Sequence, residues 1–488
     1  MSSPVTANDP ARSPSPPPEA GLQGSLGTAD LVFTVLAFNA PLATAVGFVP
    51  VVIGLGNELG APMAFLAAGA ILGLFAVGFT AMGRHLPNPG AFYAYITAGL
   101  GRPAGLGASF LALFSYYFVL IGGYAFGGIS LQSLVRDTFN GPDVAWWIWV
   151  LVLQAGAGVL GYLKIDLSAR VLTVLLGLEV LMVLVYDAAV VFTGGPQGTS
   201  FESFTPSAVT SGSVGLALLF GITCFSGFEA TAIFREEVRS PERTIPRATY
   251  IAIGFMATLY ALGAWVMIQA YGPDHVVQAT AADPTGSFNH SLQLFVGKAA
   301  VDIVSVLLCT SIFAANLSTH NVTTRYLYNL SVDGIFPRVL SGVHGRHGSP
   351  YRASFTTSVL ALIGIVSLAV AGVAPATLYA TLIGIGGYAL IVLVLATAVA
   401  VLVYLNRHRE IGLGVWHSKV APVLAIAGLV LATVLATQNL DVLIGGSRTS
   451  ANILLAVAYG LAALGFVLAL VYRRTKPDVY ARIGRQDL

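Results

Sequence analysis

The chain has 488 residues, of which 56% are hydrophobic and only 9% are charged, and its mean hydropathy is +0.80. A soluble globular protein carries about 25% charged residues, so this composition indicates an integral membrane protein. The net charge of +2 favours no nucleic-acid partner, and the two cysteines, Cys224 and Cys309, lie in apolar segments without disulfide or metal-ligand spacing.

Apolar stretches of membrane-spanning length, about 20 residues, recur along the chain, and the connections between them are too short for a soluble domain. The Pro- and Ser-rich residues 1–28 are expected to form a disordered cytoplasmic tail, followed by a transmembrane domain at 29–475 and a cytoplasmic tail at 476–488. Twelve spans are predicted, at 30–54, 62–83, 104–134, 144–162, 168–193, 213–234, 247–271, 299–327, 353–373, 376–403, 420–439 and 450–472.

The distribution of Lys and Arg predicts the orientation, because these residues favour the cytoplasmic side. With the N-terminus inside, the outer side keeps only three of the 24 lysines and arginines, namely Arg136, Lys298 and Arg448. A wrong number of spans would scramble this asymmetry. We therefore expect a multi-pass cell-membrane protein with both termini in the cytoplasm.

The middle of span one disfavours a continuous helix, because Asn39, Pro41, Thr44 and Gly47 are crowded there. Proline removes an amide donor and disrupts the helical hydrogen bonds around it. Freed backbone groups at membrane depth are tolerated only where protein or a water-filled cavity covers them. A break near residues 40–47 is therefore predicted, with a simple kink as the alternative.

Span six has a corresponding interruption at Ser226-Gly227. Two interrupted spans at matching places in two halves indicate a transporter site, because half-helix ends expose unpaired N–H and C=O groups. Span one runs outward and span six runs inward, so the repeat must be inverted. We expect a five-plus-five inverted repeat, at about 30–193 and 213–403, with two extra helices at 420–472.

Three acids lie within predicted spans away from the span ends, where a charge costs about 2.5–3.5 kcal/mol on insertion scales. Glu179 is near the middle of span five. Burial favours the neutral carboxylic acid, so Glu179 could take up and release a coupling proton. It could instead pair with a cationic solute or form a structural hydrogen bond to a neighbouring helix. Asp187, two turns further outward, could lie in an outer vestibule or in the helix interface.

The third acid, Glu229, follows the interruption in span six. It could cap freed amides near the start of the second half-helix or contact the solute directly. Phe225 and Phe228 flank the interruption and could gate a pocket or pack in the core. Glu236 and Glu237 come next, among arginines at the predicted cytoplasmic end. They favour an inner gate of ion pairs, although a solvated charge cluster fits equally well.

Two longer stretches resemble bacterial permeases of the amino acid–polyamine–organocation (APC) superfamily. GRHLPNPGAFYAYITAGLGRPAG resembles the family's loop P-x-x-G-x-x-Y-x-Y through Pro87, Gly90, Tyr93 and Tyr95. FSGFEATAIFREEVRSPERTIPRA is similar to the family's G-F-E, E-E and P-x-R-x-I-P-R-A pattern. The resemblance covers residues 28–475 and implies the LeuT-type fold and secondary active transport of amino acids or related amines.

The resemblance also implies where the solute binds. Many family members carry a Gly-rich patch, roughly G-x-G-I, in the first break, whereas APLATAVGF has one glycine here, so Pro41 must break the helix. Tyr388 of span ten is expected to line the pocket together with residues of both breaks. The candidate solute contacts are Ala43, Thr44, Ala45, Gly47, Phe225, Ser226, Gly227, Phe228, Glu229 and Tyr388.

These features favour a proton-coupled importer of an amino acid or small amine that works by alternating access, with no cofactor. Glu179 tilts the expected solute towards amines such as putrescine or cationic amino acids. Hydroxyls on span eight, including Ser311, leave sodium coupling open. An uncoupled exchanger is the alternative function. A membrane enzyme is less favoured, because the eight histidines do not cluster in the sequence.

Overall fold

The computed structural model describes residues 27–86, 92–163, 169–229, 238–345, 349–372, 375–444 and 447–484. The regular elements within these ranges are all helices. Ten of the described helices are long and apolar enough to cross a membrane. The protein is therefore an all-α, multi-pass membrane protein, as the composition predicts.

The ten helices and the twelve predicted spans differ at the two interrupted spans. The second part of span one and span two, Pro41–Gly83, follow each other through successive helical turns with a non-helical kink at Gly56, so they count as one of the ten. The first part of span six, Val214–Thr223, has only 10 residues. Residues 230–237, where span six would continue, lie outside the described ranges. The number of twelve stays a prediction.

The first half of the chain contains the interrupted span and four further long helices or helical units. Short connecting helices and the π-helical turns Val52–Asn57 and Leu134–Thr138 complete it. The helices are α1 (Thr28–Asn39), α2 (Pro41–Gly47), α3 (Val49–Val51), α4 (Ala61–Gly83), α5 (Phe92–Leu100), α6 (Arg102–Ser133), α7 (Trp146–Leu163) and α8 (Ala169–Thr193).

The second half starts with two short helices. Its long helices follow, with further short helices between some of them. A π-helical turn, Trp416–Val420, precedes α17. The helices are α9 (Pro206–Val209), α10 (Val214–Thr223), α11 (Pro241–Tyr271), α12 (Pro273–Ala282), α13 (Ser287–Phe295), α14 (Lys298–Val332), α15 (Tyr351–Val370), α16 (Pro375–Arg407), α17 (Ala421–Gln438), α18 (Leu440–Leu443), α19 (Arg448–Thr475) and α20 (Pro477–Arg482).

The interrupted span lies in the interior of the helix assembly. Both α1 and α2 contact α8, α11 and α14, while α10 contacts α4, α16 and α17. α6 packs against α14, α16 and α19. The periphery is apolar, as a lipid environment requires: Phe192 is 89% exposed and Val370 is 83% exposed. The arrangement keeps the two interruptions away from lipid.

Part of the predicted C-terminal tail is docked on the helix assembly. Ile483, only 3% exposed, packs with Leu106 of α6 and Leu330 of α14. The Arg102 guanidinium lies 5.5 Å from the centre of the Tyr480 ring, a favourable cation–π geometry. The tail therefore connects the beginning of α6 with the end of α14.

Candidate functional site

The first interruption is at Ala40. Ala40 adopts a left-handed backbone conformation (φ 48°, ψ 69°) between α1 and α2. The ring of Pro41 disfavours helical geometry at the preceding residue and supplies no amide hydrogen. Proline thus breaks the helix, as predicted, but the break is at the edge of the predicted 40–47 segment, and Pro41–Gly47 is itself helical.

The second interruption follows Thr223, where α10 ends and residues 224–229 form turns. Gly227 has φ 109°, a conformation that side chains rarely allow. Its amide donates a 2.8 Å hydrogen bond to Glu229 Oε2, and Tyr116 Oη donates to Glu229 Oε1 over 3.3 Å. Glu229 therefore satisfies a freed amide, although that amide precedes it in the chain.

The two interruptions line the same cavity, whose volume is about 110 Å³. Polar walls come from both breaks, and further walls come from α6, α14 and α16. The lining residues of the breaks are Asn39, Ala40, Ala43, Thr44, Phe48, Thr223, Cys224 and Ser226, and the others are Val119, Gly123, Phe126, Ile312, Ala315, Asn316, Thr319 and Ile383.

Two of the four hydroxyl groups in this lining are bonded within their own helices. Thr223 donates to the Leu219 carbonyl and Thr319 to the Ala315 carbonyl, at 2.7 and 2.9 Å. Two amide atoms differ: Asn39 Oδ1 and Asn316 Nδ2 are buried and have no hydrogen-bond partner in the described part of the chain. A buried polar atom of this kind normally has a partner, so a solute or water is the expected one.

Glu179 of α8 lies against the first break without lining the cavity. Its side chain is buried, with 4% of the residue exposed. Ser311 Oγ of α14 donates a 2.9 Å hydrogen bond to Glu179 Oε2, and the Leu42 amide at the start of α2 lies near the same carboxylate. The acid thus occupies the positive end of α2, where amides have no partner inside the helix.

A chain of polar side chains connects Glu179 with the cavity wall. The hydroxyl of Tyr260 lies within electrostatic range of the Glu179 carboxylate and beside the Thr44 hydroxyl. Thr44 also lies beside the Cys224 thiol, which belongs to the second break. These side chains occupy the space between Glu179 and the two interruptions.

Several residues expected to contact the solute pack elsewhere. Phe225 packs edge-on against Tyr260, with centroids 5.8 Å apart, and Phe228 against Phe75 at 5.9 Å. Both phenylalanines therefore have aromatic packing partners, and their role as solute contacts stays a prediction.

Ala45, Gly47 and Tyr388 are likewise outside the cavity lining. Ala45 and Gly47 are buried within α2. Tyr388 Oη is 2.8 Å from the hydroxyls of both Thr437 and Tyr459, so its ring is directed towards α17 and α19. Tyr388 thus lies outside the lining of this cavity, and its role as a solute contact stays a prediction.

The other predicted acids have different outcomes. Asp187 is 4% exposed, in agreement with the interface alternative, and neither of its carboxylate oxygens has a hydrogen-bond partner among the described residues. Glu236 and Glu237 lie outside the described residues, so the proposed inner gate stays a prediction.

Aromatic groups border the cavity region on two sides. On one side, Phe126 stacks on Tyr379 with ring centroids 4.8 Å apart, and Phe48 packs edge-on against Phe126 at 6.3 Å. On the other side, Tyr116 lies about two helical turns before the lining residue Gly123 on α6. Its ring centroid is 5.6 Å from that of Tyr326. We call these the Phe126–Tyr379 group and the Tyr116–Tyr326 group.

Sequence reasoning missed Gly123, Phe126 and Tyr379 as site residues, and it ranked Asn316 only among the weaker polar residues of span eight. Asn316 offered a signal, since a carboxamide in an apolar span is unusual. The aromatic residues offered none, because the chain has 26 phenylalanines and 19 tyrosines, and most of them pack in the interior or face lipid.

The fold and this cavity define the class: an all-helical multi-pass membrane protein with a small, mostly apolar cavity where two helices are interrupted. The chain belongs to the amino acid permease family, whose model matches residues 31–463. It is therefore a transporter and not an enzyme, and the resemblance drawn from the two sequence stretches is confirmed.

Curated relatives include transporters of different solutes. The low-affinity putrescine importer PlaP of Escherichia coli K12 is 27% identical over 308 residues, covering 60% of this chain and 65% of the importer's length. The branched-chain amino acid permease BcaP of Bacillus subtilis is 24% identical over 420 residues, which cover 80% of this chain and 83% of the permease. The lysine-specific permease LysP of Lactococcus lactis is 25% identical over 442 residues, which cover 86% of this chain and 84% of the permease.

Proposed function

We propose that this protein is a secondary active transporter that imports an amino acid or small amine by alternating access, with a proton as the coupling ion. The relatives named for putrescine, branched-chain amino acids and lysine support the solute class. The observation that carries the coupling is the contact of Glu179 with both Ser311 and the Leu42 amide.

The position of Glu179 gives proton coupling a physical basis. When ionised, the carboxylate accepts a hydrogen bond from Ser311 of α14 and lies near the amide end of α2. When protonated, it binds the amide end less strongly, since the helix dipole favours an anion there. Gain of a proton would therefore weaken one attachment between α8 and the interrupted span, and loss of the proton would restore it.

The two aromatic groups support alternating access. The Phe126–Tyr379 group joins α6, α16 and the interrupted span at the ends that the Lys and Arg distribution assigns to the outside. The Tyr116–Tyr326 group joins α6 and α14 towards the ends assigned to the cytoplasm. Opening one group while the other stays closed would connect the cavity to one side at a time. Twelve spans in an inverted repeat, with both termini in the cytoplasm, belong to the same proposal.

The test is transport by purified protein in liposomes, with and without an inward proton gradient. Glu179→Gln keeps the shape and removes the titration. We expect it to abolish accumulation against a solute gradient while solute exchange continues. Asp187→Asn is the matched control, since Asp187 is a buried acid on the same helix without contacts to the break, and it should retain gradient-driven accumulation.

The result distinguishes the alternatives. Normal, pH-dependent accumulation by Glu179→Gln would refute a coupling role for this acid. If the unmodified protein exchanges solute at the same rate with and without the proton gradient, the uncoupled exchanger is favoured instead.

A further inference from the structure

No acidic or basic side chain lines the cavity among the residues that the structure describes. The two acids near the breaks are engaged elsewhere, Glu179 by Ser311 and Leu42 and Glu229 by the Gly227 amide. A cationic side chain or a polyamine would meet no carboxylate at this wall. Since a net charge away from water is strongly disfavoured, the lining selects against such solutes in favour of ones whose charges sum to zero.

Two residues of the cavity lining each carry a buried amide atom without a hydrogen-bond partner among the described residues. Asn39 Oδ1 of α1 accepts hydrogen bonds, and Asn316 Nδ2 of α14 donates them; both atoms are buried without partners. Asn316 is only 3% exposed. An acceptor and a donor on separate helices are complementary to a solute that carries both an ammonium and a carboxylate group.

Gly123 of α6 makes the space beside Asn316. A Cβ atom at position 123 would lie 2.1 Å from Asn316 Oδ1, so any side chain there would displace the amide. The resulting cavity, about 110 Å³, is small beside the roughly 300–1,000 Å³ typical of sites for drug-sized ligands. The walls therefore limit the solute to a small molecule.

We propose that the solute is a small amino acid with an uncharged side chain, bound as its zwitterion, and that Asn316 determines this specificity. Asn316 Nδ2 donates to the solute carboxylate, and Asn39 Oδ1 accepts from its ammonium group. The inference rests on the proposed transport function and adds to it the solute class and the residue that selects it. It also departs from the amine that the position of Glu179 in the sequence favoured.

The first experiment compares solutes on the unmodified protein. Thermal shift and liposome uptake are measured with alanine, serine, lysine and putrescine. Alanine or serine should stabilise the protein and be transported. An excess of lysine or putrescine should inhibit the uptake of alanine only weakly. A preference for lysine or putrescine would overturn the inference and leave the transport function standing. If no solute in a broader panel of amino acids and amines crosses the membrane, the proposed function itself fails.

The second experiment changes Asn316. Asn316→Leu removes the donor at similar volume and should weaken the apparent affinity for alanine about ten- to hundredfold, the usual effect of losing a hydrogen bond to a charged group. Asn406→Leu is the matched control, because Asn406 donates only to Leu402 of its own helix and lies outside the cavity lining. The affinity of the Asn406→Leu variant for alanine should equal that of the unmodified protein.

Two further variants keep the test decisive if Asn316→Leu does not fold. Asn316→Asp places a carboxylate in the wall and should shift the preference from alanine towards lysine or putrescine. Gly123→Ala should reduce serine and alanine affinity by crowding Asn316. Unaltered affinity and preference in the folded Asn316 variants would overturn the assignment of Asn316.

Discussion

Tyr379 of α16 donates a 2.7 Å hydrogen bond to the backbone carbonyl of Gly47 in α2. The same ring stacks on Phe126 of α6. Two helices are thereby attached to the interrupted span next to the cavity. Because the bond joins a side chain to a main-chain carbonyl, it can break without disturbing either helix, as a gate requires.

Tyr379→Phe removes this hydrogen bond and keeps the ring stack. We expect the Phe126–Tyr379 group to open more often, since a typical hydrogen bond contributes about 1 kcal/mol. The measurement is the rate at which an impermeant thiol reagent, added outside, modifies a cysteine placed at the cavity residue Ile383. Tyr117→Phe is the control, because it removes a bond to the Leu360 carbonyl of α15 instead. Equal labelling rates in both variants would contradict a gating role.

Gly47→Ala should be strongly destabilising. An added Cβ would lie 2.4 Å from Phe126 Cζ, in the middle of the aromatic packing, and overpacking typically costs about 1–3 kcal/mol. Gly73→Ala in α4 is the control, since nothing lies within 4 Å of its added Cβ. That variant should be neutral or slightly stabilising by helix propensity. Thermal unfolding in detergent compares the two, and equal melting temperatures would refute the predicted close contact.

Ile483→Ala tests the docked C-terminal segment. Removing a buried isoleucine side chain should cost about 2 kcal/mol or more if the segment is docked. Leu464→Ala is the control, because Leu464 is 54% exposed on the lipid-facing side of α19. The expected outcome is a lower melting temperature for Ile483→Ala alone. A segment that is free in solution would give no difference.

The predicted orientation can be checked with two single cysteines at exposed positions. Thr199→Cys, in the segment after α8, should react with an impermeant thiol reagent added to intact cells, whereas Gly345→Cys, between α14 and α15, should react only after permeabilisation. Background labelling should be low because Cys224 is buried and Cys309 is partly buried. The reverse pattern would overturn the orientation inferred from the lysines and arginines.

The sequence by itself was sufficient for the class of protein and for the place of both interruptions. Long apolar stretches require lipid, and their lengths follow from the thickness of the bilayer. Pro41 and Gly227 change the backbone through their own covalent structure, so the breaks are local properties. The G-F-E and P-x-R-x-I-P-R-A stretches indicated the family, and the match of the family model over residues 31–463 confirms it.

Only the tertiary structure decided which side chains meet. Glu179 and Ser311 are 132 residues apart, and the directions of Asn316 and Tyr388 depend on how α14 and α16 are rotated about their axes. In a soluble helix, an apolar stripe shows which face is buried. In a membrane helix, the lipid-facing and core-facing sides are both apolar, so the sequence of a span carries little information on its rotation, and packing against neighbouring helices determines it.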